Sequence, residues 1–246
     1  MRGLGTVINV IAILVGSSLG VLLGHRLPDR TRSTVTDALG LVTLVIGALN
    51  IASVRDAHYI EAVGGGATLL IVLGALVIGG ILGSLLGIED RLESVGHWLQ
   101  SRFSRGASGG RAAFVEGFVD ASLVFCIGPL AILGSLSDGL GHGIEQLALK
   151  STLDAFASLA FAASLGWGVA ASALSVGVWQ GLLTVLSAVL GSLLSGALIA
   201  SITVTGGVLL LGVGFRLLGF KQIAVGDMLP ALLLAPLLTA LVAAFR

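Results

Sequence analysis

From Leu147 to Leu218 the chain is almost continuously apolar, and its division into spans rests on Gly166-Trp167-Gly168 and Ser195-Gly196. A membrane span needs about 20 mostly apolar residues. The stretch is long enough for three, and a water-soluble fold has no way to cover it. Five more segments of the same kind flank it. The sequence predicts eight spans: Leu4–Leu23, Val35–Val54, Ala67–Leu86, Ala112–Leu136, Leu147–Leu165, Val169–Leu190, Ala197–Leu218 and Met228–Phe245. A seven-span count stays open, because the long apolar region is divided only by its two short breaks.

Composition narrows the class further. Of 246 residues, 56% are hydrophobic and 11% are charged, and 37 are glycine. Counted with glycine, the apolar share is about 71%, against roughly 45–50% in soluble domains. That excludes an ordinary soluble enzyme, a disordered chain and a nucleic-acid binder. An outer-membrane barrel is excluded too, since its strands alternate apolar and polar residues. The fold class expected is all-α, a polytopic helical membrane protein. The first apolar run follows Met1-Arg2 as a signal peptide would. It is too long for one, and the basic stretch His25–Arg32 follows it in place of a cleavage site. It reads as a retained helix. The single Cys126 excludes an internal disulfide.

Basic residues in loops set orientation. With the N-terminus outside, Arg26, Arg30, Arg32, Arg91, Arg102, Arg105, Arg111, Arg216 and Lys221 fall inside. Arg2, Arg55, Lys150 and Arg246 fall outside. Nine against four puts both termini outside. The longest loop has its own pattern: Ile88, Leu92, Val95, Leu99 and Phe103 form a helical stripe beside Trp98, with Glu89, Asp90, Arg91, Glu93 and Arg102 as polar contrast. A helix lying in the cytoplasmic interface and a helix docked on the bundle both fit. Residues 104–110 read as a flexible link.

Glycines recur every four residues at Gly16, Gly20, Gly24 and at Gly79, Gly83, Gly87. In lipid such stripes let helix backbones approach closely. Gly40 and Gly47 share their spacing with Gly207 and Gly214, and Asn9 and Gly20 share theirs with Gln180 and Gly191. This matches spans one to three with spans six to eight. The offset of five helices is odd, so the halves run in opposite directions, an inverted repeat around a central helix pair. The organisation expected is one transmembrane domain over 1–246. It comprises a first three-helix repeat (1–87), a cytoplasmic helix and linker (88–111), a central pair (112–166) and a second repeat (169–246).

Polar groups inside spans locate the candidate site. Asn9, Asn50 and Gln180 fall in spans, and amides in lipid need partners in protein or water. Asp37 opens span two near the interface. Glu116 and Asp120 are four apart, on one helical face; two carboxylates there share a proton or hold a cation. Lys150 and Asp154, also four apart, form either a neutral structural ion pair or a relay with Lys150 as an internal counter-charge. Gly128-Pro129 interrupts span four and exposes backbone carbonyls. Broken helices line ion sites in transporters; a simple kink is the alternative. His25, His58, His97 and His142 lie in loops without metal-ligand spacing. No nucleophile elbow, nucleotide loop or cysteine pair is present, so neither enzymatic chemistry nor a cofactor is expected.

Two central segments, FCIGPLAILGSLSDGL (Phe125–Leu140) and LALKSTLDAFASLAFAASLGWGV (Leu147–Val169), resemble the signatures of the bacterial YqgA/YdfK-type membrane proteins, a family of unknown function. The N-terminal Gly3, Asn9, Gly16, Gly20 and Pro28, with Gly40 and Gly47, resemble it too, as do Gln180-Gly181 and Gly226–Pro230. The resemblance spans essentially the whole chain and implies a multi-pass protein of the bacterial inner membrane. Family patterns fall on Asn9, Cys126, Asp138, Lys150, Asp154 and Gln180. Asp120 departs from a family position held by small or hydroxyl residues, which shifts weight to Lys150 and Asp154.

The reading is a transporter or channel for a small ion or solute, a cation favoured. Its candidate residues are Asn9, Glu116, Asp120, Gly128, Pro129, Lys150, Asp154 and Gln180. The alternative is a non-transporting membrane scaffold or lipid-interacting protein. The partners expected are the lipid bilayer and the solute, with no nucleic acid; homo-oligomerisation stays open.

Overall fold

The computed structural model describes residues 2–24, 28–103, 111–127, 129–193 and 195–246. Among them the chain is all helix, turn and short connection. The helices are α1 (Leu4–Gly24), α2 (Asp29–Ile51), α3 (Ala57–Val63), α4 (Ala67–Leu86), α5 (Ile88–Phe103) and α6 (Arg111–Cys126). They continue as α7 (Pro129–Leu140), α8 (Glu145–Leu165), α9 (Gly168–Leu193), α10 (Gly196–Leu217) and α11 (Ala231–Ala244). Six segments among the described residues are long and apolar enough to cross a membrane. They are Leu4–Gly24, Ser33–Arg55, Ala67–Leu86, Gly168–Ser187, Gly196–Leu217 and Gly226–Ala244. A seventh arises if the pair Ala113–Cys126 and Leu130–Leu140, bent by 62°, is one span. The 21-residue α8 carries Glu145, Lys150 and Asp154, which lower its apolarity.

The chain forms two compact units. The first comprises residues 1–41 and 92–191, the second 42–91 and 192–246.

In the first unit, α1 and α8 lie side by side and parallel. A Cβ built on Gly16, Gly20 or Gly24 would overlap the carbonyl oxygens of Ala155, Leu159 and Ala163 respectively. The four-residue glycine repeat of one helix thus meets a four-residue carbonyl repeat of the other. Close backbone approach of this kind replaces the hydrophobic effect as a source of helix association in lipid, with Cα–H···O contacts adding a little. The start of α1 is capped from afar: the Asp138 carboxylate accepts from Gly3 N–H and Gly5 N–H, both at 3.0 Å. A carboxylate at a helix N-terminus satisfies orphan donors and the positive end of the dipole. Helix α9 runs antiparallel to α1, with Thr6 beside Thr184 and Val10 beside Gly177. The turn between α8 and α9 needs Gly166, whose φ of +76° disfavours a side chain.

In the second unit, α4 and α10 are parallel. Ile71 near the start of α4 clusters with Ala197 and Ala200 at the start of α10. At the other end, Glu89 pairs with Arg216 in the last turn of α10. Helix α11 returns antiparallel, placing Ala231 against Gly79 and the Asp227 carbonyl against Gly83. Gly47 of α2 and Gly207 of α10 face one another. Glu89 and Asp227 cap reciprocally: Asp227 accepts from Glu89 N–H at 2.9 Å, and Glu89 accepts from Gly226 N–H at 2.6 Å.

Several local expectations change. Helix α2 begins at Asp29, so Arg30 and Arg32 belong to its first turn, and Asp37 lies two turns inside the helix. Gly87 has φ +58° and ends α4 as its C-cap, so it closes the helix without extending the Gly79–Gly83 packing stripe. The α5 stripe is rotated. Gly96 and Leu99 are buried, the former against Val115 and Phe118, whereas Val95 and Trp98 are exposed. A glycine is silent in a hydrophobicity pattern, yet here it brings α5 close to α6. The helix is therefore docked by one face. Glu89, read as polar contrast to the stripe, is buried. The link at 104–110 lies outside the described residues.

Candidate functional site

Three helices of the first unit converge on one buried polar cluster. Asn9 comes from α1, Lys150 and Asp154 from consecutive turns of α8, and Gln180 from the middle of α9. The Gly16–Gly20–Gly24 packing holds α1 against α8 in the register that brings Asn9 to Asp154. Lys150 Nζ pairs with Asp154 Oδ2 along α8. Asn9 Nδ2 donates to the same oxygen at 3.0 Å and to Gln180 Oε1 at 3.3 Å. Asn9 and Gln180 are wholly buried, and Lys150 and Asp154 nearly so.

The carboxylate dictates the arrangement. A carboxylate only accepts, so Asn9 must turn its N–H groups towards Asp154. Its second N–H then draws in the Gln180 oxygen. That leaves Asn9 Oδ1 and Gln180 Nε2 directed elsewhere, and neither finds a partner among the described residues. Buried polar side-chain atoms are satisfied in the large majority of cases, so two such atoms on adjoining residues mark the place. The Lys150 ammonium also lies 6.0 Å from the centre of the Phe125 ring, within cation–π range. Phe125 in turn meets Phe161 edge to face at 6.0 Å.

One turn from this cluster towards the start of α1, the Thr6 and Thr184 hydroxyls stand 3.5 Å apart. Beyond them is the Asp138 cap. On the other side Ser17, also wholly buried, has no partner for its hydroxyl among the described residues. The first unit thus has a file of polar groups along the α1, α8 and α9 contact.

Of the residues singled out from sequence, Asn9, Lys150, Asp154 and Gln180 come together. Glu116 and Asp120 share a face of α6 as their spacing required, Asp120 buried and Glu116 half-buried. Pro129 opens α7, where a missing N–H costs nothing; Gly128 lies outside the described residues. Asp138 serves as the α1 cap. Cys126 is half-buried at the end of α6. Sequence reasoning missed Thr6 and Thr184, which are ordinary as isolated hydroxyls, and the Glu89–Arg216–Asp227 knot. No group of three or more His, Cys, Asp or Glu side chains able to hold a metal occurs among the described residues.

Together the apolar helices and the buried polar cluster define a helical membrane protein. Residues 4–240 match the family model described as a protein of unknown function (DUF554), and the chain belongs to that family. It is 31% identical over 242 residues to the uncharacterized membrane protein YdfK of Bacillus subtilis (strain 168), covering 98% of this chain and 97% of the relative. It is 32% identical over 242 residues to the uncharacterized protein YqgA of Escherichia coli (strain K12), covering 96% of each. No solved structure matches.

Proposed function

We propose that the protein moves a small ion or small solute across the bacterial inner membrane, without enzymatic chemistry. The observation that carries this reading is a pair of amide atoms without partners among the described residues, Asn9 Oδ1 and Gln180 Nε2, beside a buried ion pair. Ionisable groups inside a membrane cost several kcal/mol, roughly, and mark solute pathways by default. The preference for a cation requires Lys150 to leave Asp154, freeing the carboxylate. A non-transporting scaffold is the second reading, favoured by the direct contact that already neutralises Lys150 and Asp154.

Helix directions support eight spans. Parallel α1 and α8 call for an odd number of crossings between them, which α2, α4 and the bent α6–α7 pair taken as one span would give. Parallel α4 and α10 also require an odd number between them, met by α6–α7, α8 and α9. Eight spans return the C-terminus to the side of the N-terminus, and loop charge favours the outside for both. The antiparallel meeting of Asn9 with Gln180 is what an inverted repeat would give, because matched residues near its axis touch.

The test is ion and solute flux through proteoliposomes bearing Lys150→Met/Asp154→Asn. Asp154→Asn alone should cost about 3–5 kcal/mol, as for other broken buried pairs. The double variant should recover thermal stability in detergent yet lose flux. A stable and fully active double variant would sink the site assignment.

A further inference from the structure

The polar file in the first unit has a property beyond its location: its charges are already satisfied, and what remains unsatisfied is neutral. Asp138 accepts a backbone N–H on each of its oxygens. Lys150 and Asp154 neutralise one another, and Asn9 donates to Asp154 as well. Between these two charged points stand the Thr6 and Thr184 hydroxyls. Among the described residues, the valences left over on α1 and α9 are one amide oxygen on Asn9, one amide nitrogen on Gln180, the Ser17 hydroxyl and the indole nitrogen of Trp179, all buried atoms. A bare cation placed there would meet the Asn9 oxygen but also the Gln180 N–H groups and the Lys150 ammonium. An anion would meet the Gln180 N–H groups but also the Asn9 oxygen and the Asp154 carboxylate. A neutral molecule that donates one hydrogen bond and accepts another conflicts with neither.

We infer that Asn9 and Gln180 form a subsite for a neutral hydrogen-bonding molecule of about the size of water, which donates to Asn9 Oδ1 and accepts from Gln180 Nε2. The inference rests on the transport reading above and narrows it to uncharged solutes. Hydroxyls at Thr6, Thr184 and Ser17 extend the same donor–acceptor character along the file. The Lys150–Asp154 pair fixes the direction of the amides: while Asp154 is ionised, Asn9 presents its oxygen, and not its nitrogen, to the solute.

The experiment compares four probes in proteoliposomes. Water and urea are followed by light scattering after an osmotic step, and sodium and potassium by tracer uptake. Wild type should carry water or urea at least tenfold faster than protein-free vesicles and carry neither cation. Gln180→Glu keeps the shape of the side chain but replaces the donor with an acceptor. It should lower neutral flux at least tenfold while its melting temperature in detergent confirms that it is folded. Asn9→Leu, which removes the acceptor, should do the same, and Thr152→Ala on the exposed side of α8 should leave flux unchanged. Cation flux without neutral flux overturns this inference and leaves the transport reading standing. Neutral flux undiminished in folded Gln180→Glu and Asn9→Leu overturns the subsite. Absence of flux for all four probes overturns both the inference and the transport reading.

Discussion

Asp154 orders its neighbours through a single oxygen, holding Lys150 along its own helix and drawing the Asn9 amide across from α1. These residues, with Gln180, were legible in the sequence for a simple reason: amides and charges in apolar spans stand out, and spacing of four puts two of them on one face. Asp138 and the Thr6–Thr184 contact were not legible in that way. Their partners lie more than a hundred residues off, and no local spacing reports a cap delivered from another helix. Tyr59, on α3 between two spans, gives a residue-scale prediction outside the membrane. Its hydroxyl donates to Thr68 O at 3.1 Å. Burial raises its pKa above the ordinary 10.0, while the Thr239 hydroxyl lowers it by less. In the unfolded chain the phenol ionises near about 10. Because the folded value is higher, the contribution to stability is complete below that pH and is lost as pH rises through the folded value. The chain has one tyrosine, so ultraviolet absorbance reads this group alone. The phenolate band should appear only above the ordinary range, with melting temperature falling over the same interval; a midpoint at or below the ordinary value would contradict it.

Helices behave here as rails as well as rods. The glycine ladder of α1 was legible as a packing stripe, but its partner and direction were not, since a repeat of small residues fits many helices. The carbonyls of α8 that it meets carry no sequence signal at all. Enlarging one rung tests the pairing. Gly20→Leu would drive a side chain into the Leu159 carbonyl and the Ala162 methyl. Overpacking typically costs about 1–3 kcal/mol, and more is expected where the obstacle is backbone. Lower melting temperature in detergent should accompany loss of the Asn9–Asp154 hydrogen bond. Gly181→Leu on α9, where a Cβ meets nothing within 4 Å, should be tolerated. Equal effects from the two would show that α1 does not depend on its glycines. Helix α5 teaches a related lesson. Its amphipathic stripe correctly gave a helix over Ile88–Phe103, but Gly96 turned the buried face away from Val95 and Trp98.

On the scale of the whole molecule, class and family were readable from composition and two signatures, while the grouping of helices was not. Each compact unit draws on both ends of the chain, an arrangement that depends on contacts far apart in sequence. Eight spans with both termini outside predict a cytoplasmic position for Ser104. A cysteine placed there in a Cys126→Ser background should resist impermeant thiol reagents in intact cells and react after the membrane is opened. Labelling in intact cells would reverse the orientation.

The α1–α8 pairing also sets a timetable for biogenesis. Asn9 and Asp154 are 145 residues apart, so at a synthesis rate of about 5–20 residues per second α1 waits on the order of 10 s for its partner. During that wait α4 emerges with Gly79 and Gly83, a small-residue face that is itself destined for the later α11. Two sticky faces are thus present together before either lawful partner exists. Each glycine face therefore stays unpartnered until the second half of the chain has been made.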